Sequence, residues 1–291
     1  MLLIETSLIE TFKKKNIMAV TMADITKLRK MTGAGMMDCK KALEEANNDF
    51  DGAIEIIRKR GQAIAAKRED REAAEGCVLA ANKGDYAAIV ALKCETDFVA
   101  QNKDFVALTQ KILDAAIENK PADLEALKAL KLDGRTIAEL VTDQSGVTGE
   151  KMELGYFDSL SAASTIFYIH PGNKLATIVG FNLADVDYQV ARDVAMQVAA
   201  MNPISVRPEE VPAHIIEKEL EIAREKAREA GKPENLIDRI AQGSLQKYYK
   251  EFTLLQQEFV KDPKHTIEQY LKAQNKELTV TAFRRFTLNA E

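Results

Sequence analysis

Tryptophan is absent from this chain of 291 residues, and aromatic residues together reach only 6%. Large rings are therefore scarce as core filler, which favours alanine-rich, helix-rich packing. Cysteine occurs three times, as Cys39, Cys77 and Cys94, with no C-x-x-C pair. That spacing excludes a zinc ribbon or a redox couple, and the three read as reduced, cytosolic and buried. The three histidines, His170, His214 and His265, share no metal-ligand spacing and have no adjacent cysteine or G-x-S-x-G partner. Neither a metal centre nor a hydrolase triad follows from them. No apolar run reaches the roughly 18 residues a membrane helix needs. Basic residues are not in excess either, since 40 Lys and Arg face 45 Asp and Glu for a net charge of −5. Such a chain is a poor general binder of polyanions, because phosphate neutralisation by Lys and Arg carries that affinity. Neither a nucleic acid nor a membrane is expected as a partner.

What the chain does have is a globular balance, with 46% apolar and 29% charged residues, and enough length for two or more compact units. The first residues, MLLIETSLIETFKKKNI, place their basic charges after the apolar stretch and include Glu5 and Glu10. A signal peptide, an anchor and a mitochondrial presequence are all contradicted by that order. Residues 1–17 are expected to be an extension outside the working protein, which then starts near Met18 or Met22.

From 18 to 61 apolar residues recur at helical spacing in three bursts: Ile25, Leu28 and Met31, then Met36, Cys39 and Leu43, then Ala53, Ile54 and Ile57. Gly33 and Gly35 break the first from the second, and Gly61 stands where a C-terminal cap belongs. This predicts a small three-helix module. Residues 62–75, rich in alanine and charge, read as a helical linker or a solvated extension. The mixed cluster of Arg58, Lys59, Arg60, Lys67, Arg68 and Arg71 reads as a solvated helix face. The G-A-G of Gly33 to Gly35 is a helix-breaking turn, too short for a nucleotide fingerprint.

Next comes a hairpin and helix: Gly76 to Asn82, a second strand with Ala88, Val90, Leu92 and Cys94 on one face, then a helix through Phe105, Leu108, Ile112 and Ala116. After a less regular stretch the order returns, as Ser164 to His170, Leu175 to Phe181, and a helix through Val190, Val194 and Val198. The fold class is therefore α+β, with two similar antiparallel-sheet and helix subdomains at 76–160 and at 161–211 with 253–291. Between those last two pieces, 212–252 predicts an antiparallel coiled-coil hairpin. Its seam runs Ile216, Leu220, Ala223, Ala227 and Ala230, and returns through Ile237, Ala241, Ser244 and Tyr248. The tail reads as a helix, Ile267 to Gln274, and a strand, Leu278 to Phe286, returning to the second subdomain.

The stretch ETDFVAQNKDF, Glu95 to Phe105, falls where a strand ends and a helix begins, a place where loops often carry function. Two readings stand. Thr96 or Asp97 caps the next helix while Phe98 packs beneath it, or an acid and an aromatic are presented to a partner as an insertion anchor. Two other functional classes compete with a protein-binding factor. One is an adaptor fused to an RNA-binding domain, which needs a basic, aromatic-interleaved sheet face that is not evident here. The other is an enzyme using Glu95, Asp97 and His170, for which no nucleophile or metal partner is present.

Four stretches together resemble one family: TGAGMMDCKKAL (Thr32 to Leu43), REAAEG (Arg71 to Gly76), KCETDFVAQN (Lys93 to Asn102) and FVKDPKHTIEQYLK (Phe259 to Lys272) are similar to bacterial elongation factor Ts, in its order and spacing from Ala23 to the end. The resemblance implies a cytoplasmic guanine-nucleotide exchange factor whose partner is elongation factor Tu. Such a factor has no covalent chemistry, no cofactor and no metal of its own. It also implies that the N-terminal module is ubiquitin-associated-like and grips the partner's nucleotide-binding domain. Asp97 and Phe98, flanked by Thr96 and Val99, would intrude beside the partner's magnesium and phosphate site, and the C-terminal subdomain would hold another partner domain. Further binding positions carried over are Lys40, Thr148 and Gly149, His170, and Val260 with Lys261. Thr148 departs from the family's usual Ile.

Overall fold

The computed structural model describes residues 19–289, so the expected 1–17 extension and a start at Met18 lie outside the described residues. In chain order the helices and strands are α1 (Met22–Thr32), α2 (Met36–Glu45), α3 (Phe50–Lys67), β1 (Glu75–Lys83), β2 (Tyr86–Cys94), α4 (Asp97–Ala100), α5 (Lys103–Asn119), α6 (Leu124–Ala129), β3 (Lys131–Leu132), β4 (Arg135–Thr136) and α7 (Ile137–Thr148). There follow β5 (Glu153–Ser161), β6 (Ser164–Ile169), β7 (Leu175–Phe181), α8 (Tyr188–Met201), α9 (Ala213–Glu229), α10 (Glu234–Phe252), β8 (Glu258–Phe259), β9 (Asp262–Thr266), α11 (Ile267–Gln274) and β10 (Val280–Thr287). Mixed helices and antiparallel pairings make this an α+β protein. Among the described residues, no helix is long and apolar enough to cross a membrane. The chain forms two compact units. One holds the described residues 19–75 with Lys93–Ala100 and Lys128–Leu154, and the other holds Gly76–Leu92, Gln101–Leu127 and the described residues 155–289.

In the first unit, α1 begins in a reciprocal capping box between Thr21 and Asp24 and ends at Gly33, whose φ of 73° is the left-handed conformation glycine adopts freely. α1, α2 and α3 bury Ile25, Leu28, Cys39, Ala42, Leu43 and Ala53 as one cluster. Met31 and Met36, expected in that core, are exposed instead, because the inward face is completed by small residues such as Ala34 and Ala42. Gly61 does not end a helix: α3 runs on to Lys67, through what was expected to be linker. Its reason is packing. Gly61 is buried where α3 meets α7, and a Cβ built on Gly146 would collide with the Gly61 backbone. Two glycines thus let two helix backbones touch.

α7 lies in the stretch that reads as irregular in sequence. A capping box between Thr136 and Glu139 starts it, and Gly149, at φ 74°, stops it with its N–H on the Ser145 carbonyl. Ile137, Val141 and Ser145 are its buried positions.

In the second unit the sheet β1-β2-β5 and the sheet β10-β7-β6 share a core of Val78, Ala80, Ile89, Ala91, Ala176 and Ile178. Alternate residues Cys77, Leu79, Ala88, Val90 and Leu92 are buried too, so the first sheet is covered on both faces. α5 buries Phe105, Ile112, Leu113 and Ala116. The second sheet packs its other face, through Val179 and Phe181, against Val190, Val194 and Val198 of α8 and Ile267 and Leu271 of α11. β10 closes the sheet by pairing antiparallel with β7, so the chain end returns to this core.

α9 and α10 pack on each other as a helical pair. Ala223 and Ala227 face Ile237, Ala241 and Leu245. The return seam uses Leu245, and Ser244, expected there, is exposed; two successive steps of four residues, from Ile237 through Ala241 to Leu245, carry the stripe around α10. Ala230 is exposed as well, because α9 ends at Glu229.

Candidate functional site

β2 ends at Cys94 and the chain turns at once into the short helix α4, leaving Glu95 and Thr96 as the junction. Thr96 is a cap, in line with one of the two sequence readings: its hydroxyl accepts from the Val99 N–H at 3.4 Å, and its carbonyl accepts from Ala100 N–H at 3.1 Å. Phe98, however, does not pack beneath the helix. It is 85% exposed, whereas Val99 is half-buried and Ala100 buried. One short turn therefore divides into an inward side and a side that holds Asp97 and Phe98 in solvent.

That turn is held from outside itself. The Glu150 carboxylate accepts the Glu95 N–H at 3.1 Å, the Thr96 N–H at 3.0 Å and the Thr96 hydroxyl at 2.6 Å. In return the Glu95 carboxylate accepts the Lys151 N–H at 2.6 Å, and Arg68 Nη1 donates to both of its oxygens at 2.8 and 3.1 Å. Arg71 adds a bond of 3.1 Å. Two segments 55 residues apart thus exchange carboxylates for backbone N–H groups, and bonds to ionised acceptors are the stronger kind. The Lys151 N–H, against the opposing effect of burial and with help from Arg68 and Arg71, holds the Glu95 carboxyl down at about 2. It stays ionised throughout the neutral range. Arg68 and Arg71, expected on a solvated face, are therefore also partners of the junction, Arg68 half-buried and Arg71 still exposed.

Thr148 and Gly149 fall directly before Glu150 and are brought beside Thr96 by it. The Thr148 hydroxyl donates to the Gln144 carbonyl at 3.0 Å and accepts from the Glu150 N–H at 3.2 Å. At this position, where Thr148 departs from the family's usual Ile, the hydroxyl finishes the helix and steers the chain into Glu150. Lys40 lies on the exposed side of α2, paired loosely with Glu44 at 3.8 Å.

The remaining positions belong to the second unit. His170 follows β6, exposed, with Nδ1 at 3.1 Å from the Tyr168 hydroxyl. Arg192 lies over the Tyr168 ring, 5.8 Å from its centre, and donates to Tyr188. The next residue of α8, Asp193, is buried and accepts from Lys261 Nζ at 2.7 Å and from the Tyr270 hydroxyl at 3.0 Å. Lys261 is thus anchored by an internal carboxylate, while the neighbouring Val260 side chain is 44% exposed. α8 reaches both the His170 edge, through Arg192, and the Val260–Lys261 turn, through Asp193.

Sequence reading missed Glu150, Arg68 and Asp193. A faint signal existed for Glu150, an acid directly after a helix-ending glycine. Among the described residues, no group of three or more His, Cys, Asp and Glu is arranged to hold a metal ion. The junction's carboxylates are occupied by N–H groups and arginines. What the arrangement can do is hold an apolar ring outward on a fixed backbone; burying such a ring in a partner gains about 1.5 to 3 kcal/mol.

Comparison with known proteins gives the family. A family model described as elongation factor TS matches residues 95–290, from the junction to the last strand. The chain is 70% identical over 275 residues to elongation factor Ts of Porphyromonas gingivalis, which covers 94% of this chain and all of that relative. It is 61% identical over 274 residues to elongation factor Ts of Azobacteroides pseudotrichonymphae and 47% identical over 331 aligned positions to that of Parabacteroides distasonis, with the same coverage. These are elongation factors, proteins of translation. The chain belongs to the elongation factor Ts family.

Proposed function

We propose that this protein is the guanine-nucleotide exchange factor for elongation factor Tu: it binds the GDP-loaded GTPase, disturbs its magnesium and phosphate site, and so promotes GDP release. The observation that carries the reading is Phe98, an aromatic 85% exposed on a turn clamped by charge-assisted bonds to its own backbone. A solvent-facing ring costs hydration free energy in the free protein, and its burial in a partner recovers it. Asp97 stands beside it as the second half of the wedge, with Thr96 and Val99 as its base.

Exchange needs no bond made or broken. The factor has only to bind the nucleotide-free partner better than the loaded one, and linkage makes the effect reciprocal. Magnesium tolerates little departure from octahedral oxygen coordination, so a small displacement of a supporting loop weakens nucleotide binding. The protein then acts as a binding factor and performs no covalent chemistry. In this reading 18–61 is a ubiquitin-associated-like docking module that uses Lys40, and Thr148 and Gly149 flank the wedge. 76–160 and 161–211 with 253–291 are the two core subdomains, and 212–252 is a coiled-coil excursion. His170, Val260 and Lys261 form a second docking area on the C-terminal subdomain, and the working site is the cytoplasm. The direct test is release of fluorescent GDP from purified elongation factor Tu with and without this chain. Equal release rates at saturating protein would overturn the reading.

A further inference from the structure

Of the acids near the junction, Glu150 stands out because its whole carboxylate is spent on one target, the backbone and hydroxyl of Glu95 and Thr96. Building on the exchange reading above, we propose that Glu150 is the positioning residue of the wedge: its carboxylate, locked reciprocally to Glu95, sets the backbone at 95–96 and thereby the direction in which Asp97 and Phe98 leave the protein.

The chain of contacts is short. Gly149 turns the backbone out of α7, the Thr148 hydroxyl receives the Glu150 N–H, and the Glu150 side chain reaches the junction. There the Thr96 hydroxyl donates a hydrogen bond to Glu150 at 2.6 Å and accepts one from the Val99 N–H at 3.4 Å, so the carboxylate is connected through one atom to the first turn of α4. Glu95 grips the N–H of Lys151, the residue after Glu150, and Arg68 and Arg71 hold Glu95 from behind. Lys151 Nζ reaches back to the Glu69 carbonyl at 2.8 Å, close to those arginines. Each segment therefore fixes the other, and neither clasp depends on a long side chain finding its partner alone. Phe98 makes no part of this network. Its ring is presented, and the residues beneath it do the holding.

A turn of four helical residues has little stability of its own, because nucleation is unfavourable. With Glu150 neutralised, the Glu95 and Thr96 N–H groups lose their common acceptor and the turn samples other directions. Docking through distant surfaces continues, but the fraction of encounters with the wedge in place falls, and apparent exchange falls with it.

The experiment uses the full chain with Glu150→Gln, which preserves shape but removes the charge and replaces one acceptor by a donor, beside Phe98→Ala. Release of fluorescent GDP from elongation factor Tu is followed by stopped flow across a range of factor concentrations, separating the plateau rate from the half-saturating concentration. Amide hydrogen exchange at 95, 96 and 99 is measured on the free protein. Expected for Glu150→Gln is a plateau rate lower by about tenfold, with half-saturation changed by less than about threefold, and faster amide exchange confined to the junction. Thr96→Val, which severs the link to Val99, should slow the plateau in the same sense. The double variant should be no slower than the slower single one, since both act along one path. A Glu150→Gln protein with normal plateau rate while Phe98→Ala is slow overturns the positioning role alone. Normal release by Phe98→Ala overturns the wedge and this inference together. Loss of plateau rate explained by global unfolding of Glu150→Gln, with Thr96→Val normal, also overturns it.

Discussion

Truncating Phe98 to alanine separates a presented ring from a packed one. In the free protein the ring is 85% exposed and lies outside the hydrogen bonds that hold its turn. Its removal should therefore alter folding stability by no more than about 0.5 kcal/mol, the usual range for surface changes. For a chain of this size that is a shift in melting temperature below about 2 °C. Phe181, fully buried against α8, supplies the contrast. Phe181→Ala should cost about 3 to 5 kcal/mol and lower the melting temperature by on the order of 10 °C. The effect on exchange should run the other way. An aromatic anchor in a partner pocket is typically worth about 2 kcal/mol or more, so Phe98→Ala should slow GDP release roughly thirtyfold. Complex formation should weaken less, because other surfaces share the docking. Stopped-flow release of fluorescent GDP, paired with thermal melting of each free variant, reads both quantities. Normal release, or slow release accompanied by the melting shift of a core truncation, would refute the reasoning.

Other consequences follow from particular contacts. Gly146→Ala places a Cβ into the Gly61 backbone and should destabilise the α3–α7 crossing by about 1 to 3 kcal/mol, seen as a lower melting temperature and faster amide exchange in α7. The helical pair α9 and α10 is tied at its base by Ile204 N–H to the Phe252 carbonyl and Leu254 N–H to the Ser205 carbonyl. Replacing 214–250 with a short turn should therefore leave the remaining fold intact, and collapse of the circular dichroism spectrum beyond the excised helix would show otherwise. Glu95→Gln should destabilise at neutral pH, since the carboxyl sits at about 2 against an ordinary 4.5. A depressed carboxyl stabilises fully above its unfolded value, so the gap in melting temperature from the unaltered protein should be constant above about pH 5 and close as pH falls towards 2.

Much of the architecture is legible in the sequence because periodicity and punctuation are local. Ile25, Leu28, Cys39 and Leu43 at helical spacing, the alternation through Ala88, Val90 and Leu92, and the strand, turn and strand from Ser164 to Phe181 each stand within a few residues of one another. Family motifs are local in the same sense, which is why ETDFV by itself points to the junction. The errors lie where a residue's partner is distant. Gly61 looks like a cap until Gly146 is brought against it, and Ser244 gives way to Leu245 because the opposing helix decides which stripe of α10 turns inward.

The junction follows the same division. Sequence alone determined that an acid and an aromatic sit between a strand and a helix, and left open whether Phe98 is buried. Only the tertiary structure decided that it faces solvent, by placing Ala100 inward and Glu150 beneath the Glu95 and Thr96 N–H groups. The physical reason is that hydrogen-bond partners of a turn are chosen by proximity in space. Glu95 and Lys151, Thr96 and Glu150 are more than fifty residues apart along the chain, and no periodicity connects them until α7 and its closing glycine have folded.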